Sequence, residues 1–313
     1  MTLIEAPHII TIPTDAHEAD PMAWSLADAY AVEPKRQARI LDISRYWRTG
    51  GTNWEKVKLQ FDGVVICAGI GMREDILLPE HIGYANEHKV PWATYHIPDP
   101  LQNMVEQAQW YAERPGGIKE KRMFADWERP YTSSREPTAA EMLAYLVRIK
   151  ALAKLQPAIY SRWEILKRMG PPVWLSQFKL WIARYLWASG TELQYTRYEP
   201  FLAERGWKLP PEMYGTGLEG NVIGWQFTEC GDAQYYAANR LTADPVYRYG
   251  MTNADLNVST IPHDEFMAWF WPQGDTPDPV DPPVEPCCIC KAWAKVRDIA
   301  VNAIENCQCK NNN

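Results

Sequence analysis

The sequence has no basic stripe and no cluster of Lys or Arg: 32 basic residues face 39 acidic ones, for a formal net charge of −7. Phosphate backbones need clustered cations, so nucleic acid is not an expected partner. No apolar stretch reaches the roughly 20 residues that cross a bilayer, so no membrane partner is expected either. The first segment, MTLIEAPHIITIPTDAHEAD, has no basic n-region and interrupts its apolar residues with acids and prolines. It does not read as a secretory signal peptide, and a substrate outside the cell would require some other route of delivery. Cysteine is scarce where a disulfide framework would need it. Of 7 in the chain, only Cys67 and Cys230 lie in the main body, isolated from each other, and the rest crowd the end.

Aromatic residues are in excess, with 15 Trp and 16 Tyr in 313 residues. Most suit a core, but the same side chains line grooves that stack sugar rings. Apolar runs recur with a rhythm. ARILDIS (38–44) reads as a strand, followed by a short helix in NWEKVKLQF. GVVICAG (63–69) and PWATYHI (91–97) read as strands, each followed by a helix, in LLPEHIGYANEHK and PLQNMVEQAQWYAERP. The fourth strand is KRMFADWE (121–128). Its helix, TAAEMLAYLVRIKALAK, opens with Thr138 and Glu141 at capping-box spacing and aligns Met142, Leu146, Ile149 and Ala153 on one face. QPAIYSR (156–162) is the fifth strand, with a helix in SRWEILKRMG. Apolar strands alternating with amphipathic helices predict a parallel sheet.

The rhythm then changes. FKLWIARY (178–185), VIGWQFT (222–228) and DLNVS (255–259) read as strands without comparable helices between them, and 186–220 reads as irregular. The expected class is α/β, a modified TIM-like barrel of five β/α units plus three further strands, with a short C-terminal helical tail. An open doubly wound sheet is the competitor, but no Gly-rich phosphate loop follows the first strand. Residues 1–37 read as an N-terminal extension, 38–272 as the barrel, 273–286 as a semi-rigid Pro/Asp-rich linker, and 287–313 as a Cys-flanked helical tail.

RMFADWERPY (122–131) places Asp126 and Glu128 one residue apart at the end of an apolar run. In a strand, residues i and i+2 share a face about 7 Å apart, while the residue between, Trp127, points away. The C-terminal ends of barrel strands carry active sites. Two close carboxylates raise each other's pKa, so one can hold a proton while the other stays charged, which is the equipment for glycosidic cleavage. A single acid past a strand is more often a helix cap or a solvated loop residue. Here Asp42 lies on the first strand and Asp255 on the eighth, neighbours in a closed barrel, and convergence of four acids on one mouth is harder to dismiss.

The segments LDISRYW, ATYHI, FADWE, AIYSR, LWIARY, GWQFT and DLNVS occur in an order and spacing that resembles family-25 glycoside hydrolases, the Chalaropsis-type lysozymes or N-acetylmuramidases common among phage endolysins. The resemblance covers roughly residues 38–262. It implies a barrel of five β/α units plus three strands, and hydrolysis of the β-1,4 bond between N-acetylmuramic acid and N-acetylglucosamine in peptidoglycan glycan strands. By the same resemblance Glu128 matches the general acid/base and Asp126 its partner, which orients the substrate N-acetyl group while the acetamido oxygen attacks. A carboxylate nucleophile remains the alternative. Asp42 and Asp255 match the other acids of the mouth. Tyr95, Tyr160, Trp181, Tyr185 and Trp225 match aromatic positions near the groove, each as readily core as sugar contact. Gln226 faces opposite to Trp225, so one of that pair should look inward. His96 reads as a hydrogen-bonded core histidine. No His/Cys/carboxylate spacing suggests a metal, and the implied reaction needs no cofactor.

In the tail, Cys287, Cys288 and Cys290 precede the helix 291–306 and Cys307 and Cys309 follow it. Sixteen helical residues span about 24 Å, so one straight helix cannot bring both clusters to one metal ion. Disulfides or a shared metal between tails would allow self-association; reduced, inert thiols are the competing expectation. The expected setting is the bacterial cell wall, reached by a phage-encoded protein released from the host cytoplasm or carried on a virion. The rivals are a non-catalytic phage structural or wall-binding protein on the same barrel, and a glycosidase acting on another N-acetylated glycan.

Overall fold

Eight strands close on themselves in a computed structural model that describes residues 36–45, 52–189, 192–193, 198–231 and 254–272. They are β1 (Gln37–Ile43), β2 (Gly63–Ile70), β3 (Trp92–Ile97), β4 (Met123–Asp126), β5 (Ala158–Arg162), β6 (Leu180–Ala183), β7 (Val222–Gly231) and β8 (Ala254–Pro262). Each pairs with the next, and β8 returns to β1. From β1 to β7 all neighbours are parallel; β8 runs antiparallel to both β7 and β1. Of the N-terminal extension only Arg36 and Gln37 are described, and Gln37 already belongs to β1. The linker 273–286 and the tail with Cys287, Cys288, Cys290, Cys307 and Cys309 lie outside the described residues.

Five helices each follow one of the first five strands: α1 (Trp54–Gln60), α2 (Leu78–Glu87), α3 (Met104–Ala112), α4 (Ala139–Leu152) and α5 (Trp163–Met169). The α4 capping box forms: Thr138 N–H donates to Glu141 Oε2 at 2.7 Å, and Glu141 N–H donates to Thr138 Oγ1 at 3.3 Å. The stretch expected to be irregular holds a further helix, α6 (Tyr198–Arg205). Its buried Tyr198 and Phe201 pack on Trp225 and Phe227 of β7, and the Tyr198 hydroxyl donates to the carbonyls of Ile40 and Asn257. Two buried aromatics three residues apart make this helix, but its flanks hide the period: mean apolarity over YEPFLAER is low and a proline lies within it.

Strand alternation sorts the side chains into two nested layers. Ala38, Ile40, Val65, Ala93, Phe124, Ala158, Trp181 and Ile223 fill the barrel. The alternate residues, among them Leu41, Ile66, Trp92, Ala125, Trp127 and Ile182, pack outward under the helices. A final helix, α7 (His263–Phe270), closes the N-terminal end, with Phe266 and Phe270 fully buried against the inner layer. This closed end is the floor, and the C-terminal ends of β1–β7 form the mouth.

One boundary needs correction, and one placement has a physical reason the sequence did not supply. The fourth strand ends at Asp126, two residues sooner than expected, so Glu128 lies just beyond the ladder, after Trp127 N–H donates to Tyr160 O at 2.8 Å. Asp255 sits at the start of its strand, which in an all-parallel barrel would place it at the floor. Reversal of β8 brings that end to the mouth, where Asp255 pairs in register with Asp42.

Candidate active site

The inward rows of the barrel change character as they reach the mouth. Two residues beyond Ile40 comes Asp42, two beyond Phe124 comes Asp126, and two beyond Ala158 comes Tyr160. Together with Glu128 and Asp255 these line an open cleft of about 220 Å³. That is less than the roughly 300–1,000 Å³ that engulfs a whole small ligand, so the cleft has room for only part of a ligand of that size.

Burial pushes the Asp126 carboxyl well above the ordinary carboxylate range, and the negative charges of Glu128 and Asp42 push it further, against the opposing pull of Arg162. Its side chain is only 5% exposed, and Oδ1 has no hydrogen-bond partner among the described residues. Burial also raises Glu128, with Glu229 and Asp42 acting in the same direction; Arg162 opposes, its Nε donating to Glu128 Oε1 at 2.8 Å. Asp42 is raised by burial too, although hydrogen bonds from Asn257, Asp255 and Gln226 pull it back.

A network of amides fixes this arrangement. Asp42 Oδ2 accepts from Gln226 Nε2 at 2.8 Å and from Asn257 Nδ2 at 2.9 Å. Gln226 Oε1 in turn accepts from the Tyr160 and Tyr185 hydroxyls at 2.6 and 2.7 Å. Asn257 Oδ1 accepts from Trp181 Nε1 at 2.8 Å. The Trp181 indole lies against Gly224, where any Cβ would fall on the indole carbons, so glycine is what lets the ring lie flat on the wall.

Of the residues predicted for the site, Asp42, Tyr95, Asp126, Glu128, Tyr160, Trp181, Tyr185, Gln226 and Asp255 all line the cleft. Trp225 does not. It faces outward, fully buried, with Phe201 at 4.9 Å between ring centroids and its Nε1 donating to Arg184 O at 2.8 Å. The facing rule between Trp225 and Gln226 is obeyed, with Gln226 as the inward member. His96 is buried outside the cleft between Tyr145 (2.6 Å) and Gly71 O (2.7 Å), and burial lowers its pKa to about 4.

Three polar cleft residues were given no part in the sequence reading. Arg162 and Asn257 lie two residues beyond Tyr160 and Asp255, so the rule that pairs Asp126 with Glu128 also finds them. Glu229 is different. Counting by twos from Gln226 points it away, and it reaches the cleft because the pairing of β7 with β8 shifts between Gln226 and Thr228. Among the described residues no group of three or more His, Cys, Asp or Glu could hold a metal ion, and no helix is long and apolar enough to cross a membrane.

Residues 41–234 match the profile of the family described as "Glycosyl hydrolases family 25". The search of curated proteins returned no match. Among solved structures, the chain is similar to the bacterial lysozyme from Streptomyces coelicolor, at TM-score 0.53 and 16% identity over 74% of this chain and 96% of that one. It is similar to a family GH25 lysozyme from Aspergillus fumigatus at TM-score 0.52 and 15% identity, over 75% and 99%. It is also similar to the Clostridium perfringens spore cortex lytic enzyme SleM at 0.52 and 18%, over 71% and 67%. At such identities these likenesses show the shared barrel. The family match, which spans most of the acid-bearing strands just described, shows more: the chain belongs to family 25 of the glycosyl hydrolases and is a glycoside hydrolase.

Proposed function

We propose that the chain cleaves the β-1,4 bond between N-acetylmuramic acid and N-acetylglucosamine in peptidoglycan, with Glu128 as general acid/base and Asp126 as the partner of the substrate N-acetyl group. The observation that carries this reading is Asp126 Oδ1, buried at the mouth beside Glu128 without a partner among the described residues. An unpaired buried oxygen costs roughly 1–3 kcal/mol, and an acetamido N–H would remove that cost.

Protonated Glu128 gives its proton to the glycosidic oxygen as the C1–O bond breaks. The acetamido carbonyl oxygen closes on C1 to form an oxazolinium ion, whose positive charge ionised Asp126 offsets while accepting the N–H. Glu128, now a carboxylate, takes a proton from water as that water attacks C1 and reopens the ring. Two inversions at C1 retain the configuration. Asp42 and Asp255 hold the amide network, and Tyr95, Tyr160, Trp181 and Tyr185 offer sugar-facing walls.

We take 38–272 as the catalytic domain, 1–37 as an extension, and 273–286 as a linker to the tail 287–313. The finer setting is a phage lysin, which lysis of a host expressing the chain only after its membrane is breached would support. The deciding experiment is digestion of defined peptidoglycan. New reducing ends on N-acetylmuramic acid, absent with Glu128→Gln, support the reading. Reducing ends on N-acetylglucosamine would refute the bond assignment, and sedimentation with walls without any release would favour the wall-binding rival.

A further inference from the structure

Arg162 is the last residue of β5 and, among the described residues, the one cation lining the cleft. Its Nε donates to Glu128 Oε1 at 2.8 Å, and its guanidinium carbon lies 6.0 Å from the centroid of Tyr185. The side chain is 49% exposed against 19% for Glu128. Among the described residues its two Nη groups donate to no protein acceptor. A planar fork of N–H donors therefore faces solvent on the lip of an acidic cleft.

The ion pair conflicts with acid catalysis. A proton donor must be neutral, and a guanidinium bonded to its oxygen favours the ionised form. Every other group facing Glu128 acts the opposite way or is neutral. Asp126 stands beside it, Asp42 comes from β1, Glu229 from β7 and Asp255 from β8, while the phenols of Tyr160 and Tyr185 carry no charge. Among these groups Arg162 alone favours the ionised form of Glu128, against the effect of burial, and it is also the group best placed to meet an incoming anion.

We propose that Arg162 selects substrates by gripping a carboxylate on the lactyl arm of N-acetylmuramic acid, and that this grip draws the guanidinium off Glu128. The inference rests on the reading of Glu128 as the general acid. The fork of the guanidinium matches a carboxylate in bidentate fashion. With Arg162 so engaged, Glu128 is left among like charges and takes a proton from solvent. A glycan without the carboxylate leaves the pair intact, with the guanidinium still opposing protonation of Glu128. The carboxylate is either the lactyl group's own, in peptide-free strands, or one borne by the attached peptide.

The test compares the full chain with Arg162→Gln and Arg162→Lys. The substrates are peptide-stripped glycan, the same glycan with its carboxylates reduced to alcohols, and peptide-bearing glycan. The wild type should favour the stripped glycan over its reduced form by about tenfold or more in kcat/KM, the scale of one charge-assisted hydrogen bond. Arg162→Gln should lose that preference and Arg162→Lys keep part of it. A preference seen only with peptide-bearing glycan would place the carboxylate on the peptide and equally support the grip. The alkaline limb of kcat/KM, which reports the free enzyme, should move to higher pH in Arg162→Gln, while the limb of kcat on stripped glycan stays. An equal ratio of the substrates in wild type and Arg162→Gln, or limbs of kcat and kcat/KM moving together, would overturn the proposal. Failure of the wild type to cleave any of the glycans would instead overturn the reading of the site as a glycosidase.

Discussion

Two carboxylates at opposite ends of the same barrel have opposite fates. At the floor, Asp62 accepts from Arg36 Nη1 and Nη2 at 2.9 and 2.6 Å and from Arg39 N–H at 2.8 Å, with His263 Nε2 at 3.3 Å. Burial pushes its carboxyl up, but the bonds from His263 and Arg36 outweigh burial and hold it at about 2. At the mouth, Asp126 is buried among other acids and is driven the other way. The arginines at the two ends differ similarly. Arg122 of the floor gives its Nη groups to the carbonyls of Gln156 and Trp269 and lies 4.2 Å from the Trp269 ring. Arg162 of the mouth bonds only one acid and faces water. Burial alone therefore does not set protonation; the supply of partners does. Asp62 meets its partners within the protein, while Asp126 Oδ1 has none among the described residues, and a substrate can supply one.

The sharpest break of this comparison is Glu128→Gln, which should lower kcat by about 10³-fold, the usual worth of a general acid, with the melting curve unchanged or raised. Next come two identical substitutions of opposite sign. Asp62→Asn should cost about 2 kcal/mol at pH 7 by chemical denaturation, with kcat unchanged. Its folded pKa is depressed, so the stability it gives is present above the unfolded value of 3.8 and is lost as pH falls toward about 2; the cost of the variant should fade over that window. Asp126→Asn should raise stability by about 1 kcal/mol while losing most activity, because it removes a charge the fold does not satisfy. A raised folded pKa makes the wild-type carboxyl most tolerable at acid pH, so the gain should grow as pH rises above 3.8. The smallest effect is Trp225→Phe, which should lower the melting temperature by a few degrees and leave KM unchanged, as befits a ring behind the wall rather than on it.

Most of the barrel was legible because its strands are long apolar runs and its first five helices are amphipathic. The period of two, anchored on Asp126 and Glu128, also carries Asp42 and Tyr160 into the mouth. What stayed hidden follows from two irregularities. Strand direction has no signature in DLNVS, so the reversal of β8 that rescues Asp255 could only come from pairing. A register shift breaks the period of two before Glu229. Helix α6 was missed because its apolar face is only Tyr198 and Phe201 in an otherwise polar segment. Arg162 was within reach of the rule already in use, and only its charge, unlike the rest of the mouth, set it apart.

The central claim is that Asp126 at the mouth lacks the hydrogen-bond partners that Asp62 at the floor is given. Carbon-detected NMR titration of the side-chain carboxyls in the full chain tests it directly. The account predicts Asp126 titrating well above the ordinary carboxylate range and Asp62 at about 2 in the same sample. An Asp126 that titrates at or below the ordinary range would contradict it.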